Sequence, residues 1–197
     1  QVSMQQRQAT PESAPVWKVQ ANRLDLAPLT TLALSLAPAA PAVDEWLDGL
    51  RPHGQLSNIQ VSLDNGKTSA DRLQFAANLS GVGISAHADV PGLENISGSI
   101  QGDLGQGALR LNTENFVLDL AEVFPAPWHY AKAAALLNWT LDEQLFSLYS
   151  PYIKLEGEEG RIAGGLKIAI PFADDQYSYM DLRVGLHDGN AAFSSKY

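Results

Sequence analysis

A period of two limits the folds open to this chain more than any other feature. Leu73, Phe75, Ala77 and Leu79 share one phase, while Gln74, Ala76, Asn78 and Ser80 share the other. The beat recurs in Val82-Ile84-Ala86-Ala88-Val90, in Leu109-Leu111, in Phe116-Leu118-Leu120 and in Leu137-Trp139-Leu141. It returns in Ile153-Leu155, in Ile162-Gly164-Leu166-Ile168-Ile170 and in Leu182-Val184-Leu186. Successive side chains of a strand point to opposite faces, so each run reads as a strand with one apolar face. Turn signals separate the runs: Asp64-Asn65-Gly66, Pro91-Gly92, Gly105-Gln106-Gly107, Gly157-Glu158-Glu159-Gly160 and Asp188-Gly189-Asn190. This spacing predicts roughly ten or more antiparallel strands, and an open sheet that long curls or splits.

One region keeps the helical period instead. Leu29, Leu32, Ala33 and Leu36 follow Pro28, and Val43, Trp46, Leu47 and Leu50 follow in turn, with Pro38 and Pro41 between them. Two short amphipathic helices are expected around residues 28–50, at 28–36 and 43–50. The hexapeptide Leu24-Asp25-Leu26-Ala27-Pro28-Leu29 returns as Leu118-Asp119-Leu120-Ala121-Glu122-Val123, an offset of 118 − 24 = 94 residues. In each copy a strand-like run ends, an apolar stretch follows, and another strand begins, at 56–63 and at 136–141. The second insert, 123–135, has room for a turn or two of helix. The expected organisation is a disordered or frayed end at 1–13, then a fragment of a repeat array at 14–197. That array holds about two units, approximately 14–115 and 116–197. The opening Gln-Val-Ser-Met and the stop at Tyr197 also read as the cut ends of a longer chain.

Charge and composition narrow the partners. The net charge of −9 argues against nucleic acid and against electrostatic adhesion to anionic bilayers. No apolar run approaches the roughly 18 residues of a spanning helix. Without cysteine, disulfides and thiolate metal sites are excluded.

No catalytic constellation emerges. Gly66-Lys67-Thr68 resembles the end of a phosphate loop, but Val61 stands where its first glycine belongs. Gly81-Val82-Gly83-Ile84-Ser85-Ala86 mimics a dinucleotide fingerprint, yet His87-Ala88-Asp89-Val90-Pro91 alternates instead of opening a helix. His53, His87, His129 and His187 have no metal-ligand spacing. The 157–160 turn offers too few ligands for calcium. Trp17, Trp46, Trp128 and Trp139 fit core or rim packing better than a sugar platform. No cofactor and no metal are expected.

A resemblance adds to this reading. Leu24-Asp25-Leu26-Ala27-Pro28-Leu29, then Leu50-Arg51-Pro52-His53-Gly54-Gln55-Leu56, resemble the YhdP group of AsmA-like proteins. So do Gly92-Leu93-Glu94-Asn95-Ile96-Ser97-Gly98-Ser99-Ile100, Leu109-Arg110-Leu111-Asn112-Thr113, Val117-Leu118-Asp119-Leu120 and the segment from Tyr179 to Gly189. The resemblance implies a mainly β fold of the repeating β-groove kind, a curled antiparallel sheet forming an open hydrophobic groove. It implies the periplasmic part of an inner-membrane-anchored protein of a Gram-negative bacterium. The implied function is non-enzymatic transport of phospholipid between inner and outer membrane, which serves outer-membrane homeostasis. The implied partners are phospholipid acyl chains, further repeats of the same chain at both ends and envelope proteins at the membranes.

A curled sheet with one apolar face must close, fill with its own side chains or accept apolar ligands. The groove-lining positions are then expected to be Leu73, Phe75, Leu79, Val82, Ile84, Ile100, Leu109, Leu111, Trp139 and Leu141. Leu148, Ile153, Leu155, Ile162, Leu166, Ile168, Leu182, Val184 and Leu186 continue them. Small inward residues (Ala77, Ala86, Ala88, Gly98, Gly164) are expected to leave room for acyl chains. The two helices either cap or line the groove or plug a self-contained core. A structural or assembly scaffold and a closed lipocalin-like carrier are the competing classes.

Overall fold

The computed structural model describes residues 2–7, 15–28, 48–87, 90–120, 124, 126–173 and 175–189. They form one ten-stranded antiparallel sheet in sequential order. The strands are β1 (Val2–Arg7), β2 (Val16–Asp25), β3 (His53–Asp64), β4 (Leu73–Ile84) and β5 (Gly92–Asp103). Then come β6 (Gln106–Asp119), β7 (Trp128–Leu141), β8 (Leu145–Gly157), β9 (Gly160–Pro171) and β10 (Tyr179–His187). The sheet is curled and stays open, with β1 and β10 as its two edges. This is the expected mainly β groove. Residues 26–28 and 48–50 are helical. The rest of the helices expected around 28–50 lies outside the described residues.

One expectation is corrected in part, and another falls partly outside the described residues. Fraying is expected over residues 1–13, yet Val2–Arg7 pairs along its whole length with β2, from Val2 opposite Ala21 to Arg7 opposite Val16; residues 1 and 8–13 lie outside the described residues. An edge strand is held by its backbone hydrogen bonds, so the polar Ser3, Gln5 and Gln6 do not prevent it. In the 123–135 insert, given room for a turn or two of helix, β7 begins at Trp128, while residues 123 and 125 lie outside the described residues. Alanines at 131 and 133–135 fall on both phases and mask the alternation.

The curl has a local cause. Register shifts cross the sheet at Ser57/Gln60, Leu79/Val82, Glu94/Gly98, Ala135/Asn138 and Ser150/Ile153. Asn58, Gly81, Asn95 and Asn115 take positive φ (51, 55, 60 and 54°) along this line. Asparagine and glycine tolerate that conformation best. An extra residue in one strand bends it and tightens its twist, so aligned bulges crease the sheet. Each crease disturbs the ladder, and side chains take up the freed backbone groups. The Gly81 amide donates to Ser97 Oγ at 3.1 Å. Asn95 Nδ2 donates to the Asn115 carbonyl at 2.8 Å, and the buried Thr113 hydroxyl donates to the Asn95 carbonyl. Ser150 Oγ donates to the Tyr152 carbonyl at 2.8 Å.

One rim repeats a second device. Asp64 Oδ1 accepts from the Gly66 amide, Asp103 Oδ1 from Gly105 and Gln106, and Asp142 Oδ1 from Gln144 and Leu145. The aspartates stand 103 − 64 = 142 − 103 = 39 residues apart. Each closes a strand end with a turn of the aspartate type, in which the carboxylate stands in for a backbone acceptor. On the opposite rim, His53 Nε2 lies 2.9 Å from Glu94 Oε2 across Gly83. A Cβ at Gly83 would meet both side chains, so a larger residue there would displace the pair.

Candidate functional site

Residues directly opposite in an antiparallel pair point to the same face, so the register traces the apolar side of the sheet. Trp17 faces Leu63 and Leu63 faces Leu73; Val61 faces Phe75, and Leu56 faces Leu79. Ala77 faces Ile100, Ile100 faces Leu109 and Leu109 faces Leu137. One row runs Leu111–Ala135–Ile153–Gly164–Val184, and another runs Trp139–Leu148–Ile168–Met180. Leu155, Ile162 and Leu186 form a third, and Ser150, Leu166 and Leu182 a fourth. Val82 and Ile84 keep this face beyond the β4 bulge, opposite Ile96 and Leu93. Leu141 ends the face at the rim, opposite Phe146. Every position expected to line the groove therefore shares one face, from β4 to β10.

The face is longer than the alternation alone places it. Trp17, Val19, Ala21, Leu56, Ile59, Val61 and Leu63 extend it through β2 and β3. Leu93, Ile96, Phe116, Leu118, Trp128, Tyr130, Leu137 and Met180 fill gaps within it. The missing signal was the bulge line: across each bulge the phase slips by one residue, so a strict alternation loses the far half of the strand.

Burial along this face is uneven. Ile96, Leu111, Phe116, Tyr130, Ala133 and Ala135 make a buried centre, with Leu79, Val82, Ile153, Leu155 and Ile162 packed around it. Of the expected positions only Leu111 is buried. Most are half-buried, while Leu141, Leu182, Val184 and Leu186 are 43–59% exposed. A soluble domain seldom leaves so continuous an apolar surface in contact with water, and such surfaces mark binding sites.

The glycines among the small inward residues serve another purpose than expected. A Cβ at Gly98 would strike the Arg110 carbonyl, and one at Gly164 the Arg183 carbonyl, so these glycines admit a neighbouring backbone. Ala88 lies outside the described residues. Gly107 and Gly102 lie beneath the Trp139 ring. Gly107→Ala is expected to push that ring off its seat and shift Trp139 emission to the red. Overpacking strain should cost the fold on the order of 1–3 kcal/mol, and the melting temperature should fall with it. Fluorescence spectra and thermal unfolding of the variant check both.

The opposite face is polar. A ladder of alternating charge, Glu114–Lys132–Glu156–Arg161, crosses β6 to β9 and ends at His187. Arg161 also pairs with Asp188, and that hydrogen bond holds the Asp188 carboxyl below its ordinary value. Lys67 does the same for Asp71 at the rim. Both depressed carboxylates favour the fold above their unfolded range and lose that effect as pH falls through the depressed values; full exposure keeps it small. Among the described residues no cluster of three metal-ligating side chains occurs, and no helix is long and apolar enough to cross a membrane.

Sequence comparison meets this geometry. The family model described as "YhdP protein" matches residues 1–197. The chain belongs to the YhdP family. A YhdP relative, the intermembrane phospholipid transporter YhdP of Escherichia coli strain K12, is 24% identical over 176 residues. That alignment covers 89% of this chain and 14% of the relative, so the chain corresponds to a small part of a much longer YhdP protein. No solved structure matches it significantly.

Proposed function

We propose that this chain is a segment of a non-enzymatic phospholipid transporter, in which acyl chains lie against the apolar face while headgroups stay at the rim. The observation that carries the reading is the continuous apolar face from β2 to β10, almost none of whose expected lining residues is buried. Acyl chains are fluid, need no directional partners and gain by leaving water along any such surface. The E. coli relative's name supports phospholipid as the cargo. The expected positions from Leu73 to Leu186 would line the path, extended by Trp17, Val19, Val61 and Leu63. No catalytic group is needed, because the cargo leaves unchanged.

In this reading the chain works in the periplasm as part of an inner-membrane-anchored protein, between further repeats joined at β1 and β10. Two units near 14–115 and 116–197 would each add a stretch of trough, and envelope proteins would receive the lipid at the membranes. A closed lipocalin-like carrier is disfavoured by the open edges at β1 and β10.

Native mass spectrometry of the purified chain tests the reading. Adducts with the mass of phospholipid, removed by delipidation and restored by adding phospholipid, are expected. A chain that carries no lipid and acquires none from mixed micelles would overturn it in favour of an envelope scaffold.

A further inference from the structure

The polar side of the sheet is not uniform. Its β6–β9 part carries the charge ladder, but its β2–β7 part holds an open hollow of about 700 Å³ in which amides and hydroxyls alternate with the small Ala76 and Ala108. Gln60, Gln74, Gln101 and Asn138 face this hollow, with Ser62 and Thr140 beside them. The hollow lies on the polar side, because the Trp139 ring already covers Gly102 and Gly107 on the other. Two charged residues reach it, Lys18 and Asp103, and Asp103 Oδ1 is already engaged by the Gly105 and Gln106 amides. Solubility does not call for this composition, since charges serve it better and the same chain uses them on its other strands.

We propose that this hollow binds a neutral polysaccharide chain. A carboxamide both donates and accepts, as does a sugar hydroxyl, so rows of glutamine and asparagine match a polyhydroxylated, uncharged ligand. Equivalent side chains on neighbouring strands repeat about every 4.8 Å. That is close to the length of one hexopyranose ring. The row runs Gln60–Ala76–Gln101–Ala108–Asn138, so an extended glycan laid across the strands meets an amide at every second sugar and a small alanine between. Tyr149 supplies the apolar element that sugar recognition needs. It sits directly opposite Asn138 on the same face, and it is 52% exposed. Its ring can stack on the C–H face of a pyranose. The surface is separate from the apolar trough, so a transporter could hold a glycan outside while carrying apolar cargo inside.

The test is a titration of the isotope-labelled chain with tetra-N-acetylchitotetraose, read by amide and side-chain NMR shifts. Saturable shifts at millimolar sugar, centred on Gln60, Gln74, Gln101, Asn138 and Tyr149, are expected. Gln60→Ala with Gln101→Ala should weaken binding at least tenfold, and Tyr149→Ala should do likewise. Glu156→Gln, on the charged part, should leave binding unchanged. All these positions are solvent-accessible on the polar side, and unchanged melting curves verify that the variants fold. Absence of saturable shifts, or shifts indifferent to the Gln60 and Gln101 changes, would overturn the proposal. So would shifts at these positions that follow the concentration of the chain rather than of the sugar, which would make a second copy of the chain the occupant.

Discussion

Replacing Phe116 by alanine is expected to cost about 3–5 kcal/mol, in the range for aromatic truncation in a packed core. Phe116 is 7% exposed and sits opposite Tyr130, itself 3% exposed, with ring centroids 6.4 Å apart and planes at 23°. Around the pair lie Ile96, Leu111, Ala133 and Ala135, the buried centre of an otherwise open face. Because so few residues are buried, a cavity there has no second core to compensate for it. For a chain of this size the melting temperature should fall by on the order of 10 °C. Circular dichroism melts and urea titrations measure both. A loss below about 1 kcal/mol would mean that Phe116 is wetted like its neighbours toward β10, and that the face has no sealed centre.

Leu166→Asp is expected to separate folding from transport. Leu166 is half-buried between Ser150 and the exposed Leu182, where water can reach an introduced carboxylate. The variant should therefore fold. An acyl chain passing the site must strip that carboxylate of water, at a cost of several kcal/mol. Even about 3 kcal/mol would slow passage roughly a hundredfold. In the full-length protein, a photo-crosslinking residue at 166 should capture lipid, and Leu166→Asp should fail to support envelope integrity while accumulating normally. If the variant unfolds and the wild-type site captures no lipid, position 166 belongs to a closed core.

The sequence carried the strands well because burying one face imposes an alternation that single substitutions would break. That regularity is clearest in β9, where Ile162, Leu166, Ile168 and Ile170 keep one phase without a bulge in their own strand. The same reasoning failed where the regularity is absent. In β7 the alanines at 131 and 133–135 occupy both phases, so nothing marks the strand's first half. In β1 only Val2 and Met4 keep the apolar phase, too short an alternation to stand out from the polar segment around it.

The candidate face was legible for the same reason and incomplete for a related one. Asn58, Asn95 and Asn115 each sit mid-strand with positive φ, and each shifts the phase of the residues beyond it. That left Ile59, Ile96 and Phe116 out of step with the strand halves already read. An asparagine inside an alternating run was the available signal. The 94-residue echo marks real correspondence of position, since Leu24 and Leu118 lie at the ends of β2 and β6. The shorter aspartate spacing at 64, 103 and 142 was equally present in the sequence, but its meaning depends on a backbone contact that spacing alone does not display.

That spacing makes length a matter of counting. Each 39-residue step from one aspartate turn to the next contains a strand up and a strand back, so it returns the chain to the same rim. Adding or deleting one step preserves which side of every later strand is apolar, whereas a change of half a step would reverse the chain's direction. Each step advances the sheet by two strand spacings, about 10 Å. A gene could thus tune the reach of such a molecule in increments of about 10 Å by duplicating hairpins, with no redesign of the strands already present.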